Sequence, residues 1–153
     1  MSTADPQQDG SLLLDDQLCF ALYAASRAVT ARYRPLLDAL QLTYPQYLVM
    51  LALWERTEIP MKELGTVLGM DYGTLSPLLK RLEAAGLLRR EREAGDERLL
   101  TVSVTEKGAE LYGRAARVPG SMGRKYGLTA EAAGQLRELL RELSARLKPE
   151  SGA

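Results

Sequence analysis

The stretch MKELGTVLGMDYGTLSPLLKRLEAAGLLRREREAGDERLLTVSVT, Met61 to Thr105, decides the fold. Met61 to Leu68 reads as a short helix with Leu64, Val67 and Leu68 inward. Gly69 then supplies a flexible turn. A second helix follows with Leu75, Leu78, Leu79 and Leu82 inward, and Gly86 suits the position just past its end. Pro77 would cost about 3 kcal/mol in a helix interior but little in a first turn. The start is therefore predicted near Gly73 or Thr74, with Asp71 just outside. Leu87 to Arg92 and Leu99 to Val104 read as two strands, with Leu100, Val102 and Val104 inward and residues 93–97 between them. Helix, turn, helix and a charged ribbon, in that order, make a winged helix-turn-helix.

Working outward, Thr43-Tyr44-Pro45-Gln46 is a helix start, with Thr43 as N-cap, Pro45 in the first turn and Gln46 reaching back. Tyr47 to Trp54 is apolar nearly all round and predicts a central, buried helix. Asp15 is placed to cap an earlier helix carrying Leu18, Leu22, Ala25 and Val29, which Pro35 and then the polar Gln41 to Thr43 interrupt or kink. Ile59-Pro60 ends a connector with room for a brief strand. Beyond the ribbon, a helix from Thr105 passes through Tyr112 and Ala116 and ends at Pro119-Gly120. From Thr129 a last helix carries the stripe Leu136, Leu140, Leu143 and Leu147, stopping before Pro149.

With 153 residues, 46% hydrophobic and 26% charged, the composition is that of an ordinary soluble protein. No apolar run approaches the ~18 residues that span a bilayer, and the N-terminus lacks the features of a secretion signal. A single cysteine cannot staple its own chain, so the expected location is the cytoplasm. The chain has no histidine, which leaves no plausible zinc site and no evident catalytic constellation, and no cofactor is implied.

The formal net charge is zero, but Asp5, Asp9, Asp15 and Asp16 meet no Lys or Arg before residue 17, so the remainder carries a small positive surplus. DNA affinity would rest on a few placed contacts rather than a broad basic field. On the second helix of the motif these are Thr74, Ser76, Pro77, Lys80 and Arg81. The hydroxyls suit phosphates or base edges, Arg81 can fork onto guanine, and Lys80 suits a phosphate. At the ribbon tip Asp96 and Arg98 share one side of a strand, so the carboxylate can orient the guanidinium toward a narrow minor groove. Arg89, Arg90 and Arg92 lie along the first strand within reach of phosphates. A solvated helix face and an ordinary hairpin with exposed ion pairs are the plainer alternatives.

Cys19 lies near a helix N-terminus, where the dipole favours its thiolate, with Tyr23 four residues on. Phenol hydroxyls such as those of Tyr23, Tyr33 and Tyr44 are suitable donors to a thiolate or an oxidised sulfur. The plainer reading is a buried thiol acting as a small hydrophobe.

Residues 61–108, from Met61-Lys62-Glu63-Leu64 through Lys80-Arg81-Leu82-Glu83 and Asp96-Glu97-Arg98 to Thr105-Glu106-Lys107-Gly108, resemble the MarR family of dimeric winged-helix regulators. Leu18-Cys19-Phe20-Ala21-Leu22-Tyr23, Tyr33-Arg34-Pro35-Leu36-Leu37 and Leu42-Thr43-Tyr44-Pro45-Gln46-Tyr47 resemble its organic-hydroperoxide-sensing members, the OhrR type, over about residues 14–148. The resemblance implies a mainly α fold with a small β-hairpin wing. It divides the chain into a disordered tail over 1–12, an N-terminal dimerisation and sensor helix region over 13–42, a winged helix-turn-helix over 43–105, C-terminal dimerisation helices over 106–148 and a tail over 149–153.

It also implies a homodimeric repressor, not an enzyme, on a pseudopalindromic double-stranded operator of a peroxide-detoxifying gene. Cys19 would be the sensor, Tyr33 and Tyr44 would hydrogen-bond the partner subunit's cysteine, and Tyr23 would line the pocket. The absence of a second cysteine places the chain with the one-cysteine members. An organic hydroperoxide would leave Cys19 as a sulfenic acid, a sulfenamide, a mixed disulfide with a small cellular thiol, or an over-oxidised sulfur. The alternatives are a MarR-type repressor released by a phenolic or other small ligand with Cys19 structural, a thiol peroxidase, and an interaction module that binds no DNA.

Overall fold

The computed structural model describes residues 10–93 and 96–149, without the side chains of Glu93 and of residues 96–98. The expectation of a disordered tail falls on residues 1–12, of which 1–9 lie outside the described residues. The chain divides into two compact units, Met1–Ala115 and Ala116–Ala153.

The first unit opens with a single 3-10 turn, Leu14–Asp16, followed by α1, Leu18–Asp38. Asp15 lies within that turn and caps nothing; the N-cap of α1 is Gln17. Its side-chain amide folds back to donate to the carbonyls of Ser11 and Leu13, at 2.6 and 3.0 Å. Pro35 does not interrupt α1, because it stands in the last turn, where its missing N–H removes only the bond to Ala31. The helix stops where Gln41 takes a left-handed φ of 58° and Leu42 N–H bonds the Leu37 carbonyl at 3.0 Å.

Thr43 then caps α2, Tyr44–Arg56, in a reciprocal box: its hydroxyl accepts from Gln46 N–H at 3.3 Å and its own N–H donates to Gln46 Oε1 at 2.9 Å. Helix α2 is central and buries Tyr47, Val49, Met50, Ala52 and Leu53, but it is not dry all round, since Leu51 remains 40% exposed.

A short strand β1, Glu58–Pro60, leads into α3, Met61–Leu68. The inward face of α3 is Met61, Leu64 and Gly65, and Val67 is 54% exposed rather than buried. Gly65 explains the rotation: a Cβ there would come within 2.8 Å of the Met70 carbonyl, so the helix seats its glycine edge inward. Gly69 takes φ 67°, the turn foreseen for it.

Helix α4, Tyr72–Ala84, begins earlier than expected. Asp71 is its N-cap, accepting from Thr74 N–H at 2.8 Å, and this strong cap fixes the start ahead of Pro77. Pro77 therefore sits in the second turn, on the exposed side, where it costs one bond to the Gly73 carbonyl. Leu75, Leu79 and Leu82 are buried and Leu78 half-buried.

Strands β2, Leu88–Glu93, and β3, Asp96–Val104, are antiparallel, and β1 pairs with the other edge of β3 to give the order β1-β3-β2. Ile59 and Arg90 both stand opposite Val102, which is fully buried. The β2 pairing slips between Arg92 and Glu93, which face Leu100 and Asp96, so β3 bulges near the tip.

Helix α5, Glu106–Ala115, closes the unit, with Gly108 N–H bonded to the Thr105 hydroxyl at 3.1 Å. Gly108 has no room for a Cβ, which would run into the Leu87 carbonyl.

In the second unit Pro119 does not end a helix; it stands in the first turn of α6, Val118–Tyr126, where its missing N–H has no intrahelical partner to lose. Val118 and Met122 are buried there. Helix α7, Ala130–Leu147, is capped by Thr129, which accepts from Ala132 N–H at 3.0 Å. No residue of α7 is buried, and Leu136, Leu139 and Leu147 are 48%, 63% and 72% exposed. Among the described residues no helix is long and apolar enough to cross a membrane.

Two glycines of α5 give an internal control. Gly108→Ala forces backbone against backbone and should destabilise by about 1–3 kcal/mol. Gly113, with nothing within 4 Å of an added Cβ, should instead gain about 0.5–1 kcal/mol as Ala. Denaturant midpoints of the two variants check this, and equal shifts would remove the close-approach argument.

Candidate DNA interface and sensor cysteine

Leu75, Leu79 and Leu82 fix one side of α4 against the core, which turns Ser76, Pro77, Lys80 and Arg81 to the other side. Thr74 is exposed at the N-terminal end of that surface, and Ser76 is half-buried. The Asp71 carboxyl is held below its ordinary range, chiefly by the N–H of Thr74 and then by its hydroxyl. Capping thus leaves the first turn of α4 rigid and presented outward.

Beside it the ribbon offers an uneven set of cations. Arg89 is exposed and loosely paired with Glu91 at 3.7 Å. Arg90 is different: Nε and Nη2 donate to Glu83 Oε1 at 3.2 and 2.9 Å, and its backbone N–H donates to Glu83 Oε2 at 2.9 Å. These bonds, the side-chain one first, hold the Glu83 carboxyl below its ordinary range. Arg92 is exposed. The side chains of Asp96 and Arg98 lie outside the described residues. Between α3, the start of α4 and the ribbon lies an open cleft of about 780 Å³, walled by Met61, Met70, Tyr72, Arg92, Leu99 and Leu100 among others.

Sequence reasoning did not find the bond between Glu83 and Arg90. The only available signal was a carboxylate and a guanidinium on either side of a glycine turn, seven residues apart. Tyr72, 73% exposed at the head of α4, was also missed.

Cys19 stands in the first turn of α1 and is exposed. Tyr23, one turn on, is 58% exposed, with the Arg27 guanidinium 5.5 Å from its ring centre. Tyr33 and Tyr44 do come together, ring centres 5.2 Å apart and edge to face, and Tyr47 joins at 5.7 Å from Tyr33. The series continues through Tyr47 to Trp54 at 6.4 Å and Trp54 to Tyr112 at 5.8 Å. Cys19 is not part of this group, because fourteen positions of one continuous helix, about 21 Å of rise, separate it from Tyr33.

A winged helix-turn-helix of this architecture can be compared directly with known proteins. Residues 31–114 match the family model described as the transcriptional regulator SarA/Rot. The organic hydroperoxide resistance transcriptional regulator of Bacillus subtilis is 47% identical over 126 residues, 82% of this chain and 84% of that protein. This chain belongs to the MarR-type winged-helix transcriptional regulators. Within them it is of the OhrR type, as its motifs indicated. The regulator TtmR of Methylorubrum extorquens is 44% identical over 149 residues, 97% of this chain and 74% of the relative. The reduced, DNA-bound structure of AbfR, from Staphylococcus epidermidis, superposes with a TM-score of 0.76 at 32% identity, covering 88% of this chain and 95% of AbfR.

The depressed carboxyls set an acid limb. A carboxyl held low in the fold contributes stability above its unfolded value and loses it as the pH falls through and below about 4. Glu83→Gln should therefore lower stability at pH ~7 yet make its loss toward pH ~3 shallower. Denaturant midpoints across that range provide the measurement; an unchanged slope would show that the Glu83 carboxylate is not held by Arg90 in solution.

Proposed function

We propose that this regulator is a homodimeric, cytoplasmic repressor that binds a pseudopalindromic operator when reduced and releases it when an organic hydroperoxide oxidises Cys19. The observation that carries the proposal is the placement of its one cysteine. It is exposed in the first turn of α1, about 21 Å along the helix from Tyr33 of the Tyr33–Tyr44 pair, so a second protomer is what would bring this sulfur to those two phenols. The uncovered leucines of α7 support the same dimer, and 47% identity to an organic hydroperoxide resistance transcriptional regulator supports the hydroperoxide reading. Tyr33 and Tyr44 then donate to the partner's sulfur, and Tyr23 lines its approach.

In the chemical step the Cys19 thiolate attacks one peroxide oxygen. An S–O bond forms, the O–O bond breaks, and the departing alkoxide takes a proton to leave as an alcohol. Sulfur becomes a sulfenic acid, which condenses with a small cellular thiol to give a mixed disulfide and water. Added bulk at the protomer junction moves the two recognition helices out of register with half-sites about 34 Å apart. A coupling of about 1–3 kcal/mol gives a 5–150-fold loss of affinity.

On DNA, Thr74, Ser76, Pro77, Lys80 and Arg81 face the major groove, with Arg81 reading guanine and Lys80 on phosphate. Asp96 orients Arg98 in the flanking minor groove.

A gel shift on the duplex upstream of this protein's own gene, reduced and then treated with cumene hydroperoxide, tests the switch. Cys19→Ser should bind as the reduced protein does and stay bound in peroxide. A Cys19→Ser protein still released by peroxide ends the sensor role, and release by a phenol after thiol alkylation would favour the ligand-driven alternative. Arg98→Ala should weaken operator binding by roughly 5–150-fold, the range of about 1–3 kcal/mol for one specific contact. Unchanged affinity across a salt titration would remove Arg98 from the groove.

A further inference from the structure

One cation of the ribbon is committed elsewhere. Arg90 gives its guanidinium and its backbone N–H to the two oxygens of the Glu83 carboxylate, so a single residue of β2 occupies both lone-pair faces of one residue of α4. The pair is more enclosed than its neighbours, with side chains 22% and 36% exposed against 61% and 64% for Arg89 and Glu91. Between the two elements the chain turns at Gly86, at φ 80°, a residue that by itself constrains direction poorly. Three bonds cross that turn beside the Leu87 N–H bond to the Leu82 carbonyl and help to set how β2 leaves α4, and β3 follows β2 through their ladder.

We infer that Glu83 and Arg90 are a positioning pair, which fixes the angle between the recognition helix and the wing so that both meet one duplex in a single register. Arg90 in this role touches no phosphate. The planar guanidinium sets two donors, Nε and Nη2, on the one oxygen Oε1 while the backbone N–H takes Oε2, an arrangement that a single rotating ammonium does not reproduce. Neutralising Glu83 within the fold also removes a bare carboxylate from beside the DNA backbone. The inference rests on the reading that α4 and the ribbon both contact DNA, and the test separates the two.

The full-length protein is used to select a tight duplex from a randomised pool, with a scrambled duplex of equal length as reference. Glu83→Gln and Arg90→Gln should each reduce affinity for the selected duplex about 10-fold, and the double variant should be no worse than either. Affinity for the scrambled duplex should change little, and the slope of log affinity against log salt should stay as in the parent. Arg90→Lys, which keeps the charge and loses the fork, should behave as Arg90→Gln. A salt slope reduced by about 0.9 in Arg90→Gln, with Glu83→Gln harmless, identifies Arg90 as a phosphate ligand and overturns the inference. So do additive losses, or no loss, in a set that folds. If the parent protein selects no duplex, the DNA reading itself fails and the pair's role falls with it.

Discussion

The first unit is organised by the contact of Gly108 with the Leu87 carbonyl, an approach that leaves no space for a side chain. Because α5 lies flush there, its first turn reaches several groups that would otherwise be stranded. The Thr105 hydroxyl donates to the Gly86 carbonyl and Lys107 Nζ to the Ala85 carbonyl at 2.8 Å, serving the carbonyls of the two residues just past α4. Trp54 Nε1 of α2 donates to the Gly108 carbonyl at 2.9 Å. The end of α4, the base of the ribbon and the central helix α2 thus share one junction. The aromatic series from Tyr33 through Tyr47 arrives at the same tryptophan.

Electrostatics decide less of the fold than of its selectivity. With 20 basic and 20 acidic side chains, the chain cannot hold duplex DNA by charge alone. Several cations that a sequence count offers to phosphate are already engaged: Arg56 with Glu63, Arg90 with Glu83, and Arg114 with the Ala39 carbonyl at 2.6 Å. Binding must then come from a few side chains whose positions are fixed beforehand. Rigid caps at Asp71 and Thr43 matter more in such a protein than in one with a basic field.

Much of this was legible in the residues. Capping chemistry is local, so Thr43 with Gln46 and the glycine turns at Gly69 and Gly86 could be read directly. Prolines were read less well, because their effect depends on distance from a helix end that tertiary contacts choose. Pro35 falls in a last turn, Pro77 in a second turn and Pro119 in a first. Val67 fits a helical stripe by spacing, yet the close packing of Gly65 turns α3 away from it. The Glu83–Arg90 bond was invisible because it needs a strand folded back on the helix before it, a relation that periodicity does not encode. The Tyr33–Tyr44 pair was named through family resemblance, and no spacing argument would have joined two residues on separate helices.

What the single chain leaves uncovered bears on how a signal at sulfur could travel. Helix α1 buries only Leu37, and Leu18, beside Cys19, is 63% exposed, as are Leu12, Leu13 and Leu14 ahead of it at 98%, 70% and 60%. A soluble monomer rarely leaves contiguous leucines in water, and surfaces of this kind mark association. In the proposed dimer Cys19 therefore stands at the margin of an apolar seam, not inside a rigid core. An oxidised sulfur there gains bulk and polarity where packing is between chains. Within one chain Cys19 is exposed on the long, continuous α1, whereas Val49, Met50 and Leu53 of α2 are fully buried. On the proposed mechanism the mechanical freedom would lie between protomers, so a modification of one atom would be read as relative movement of the two α4 helices rather than as local unfolding of either.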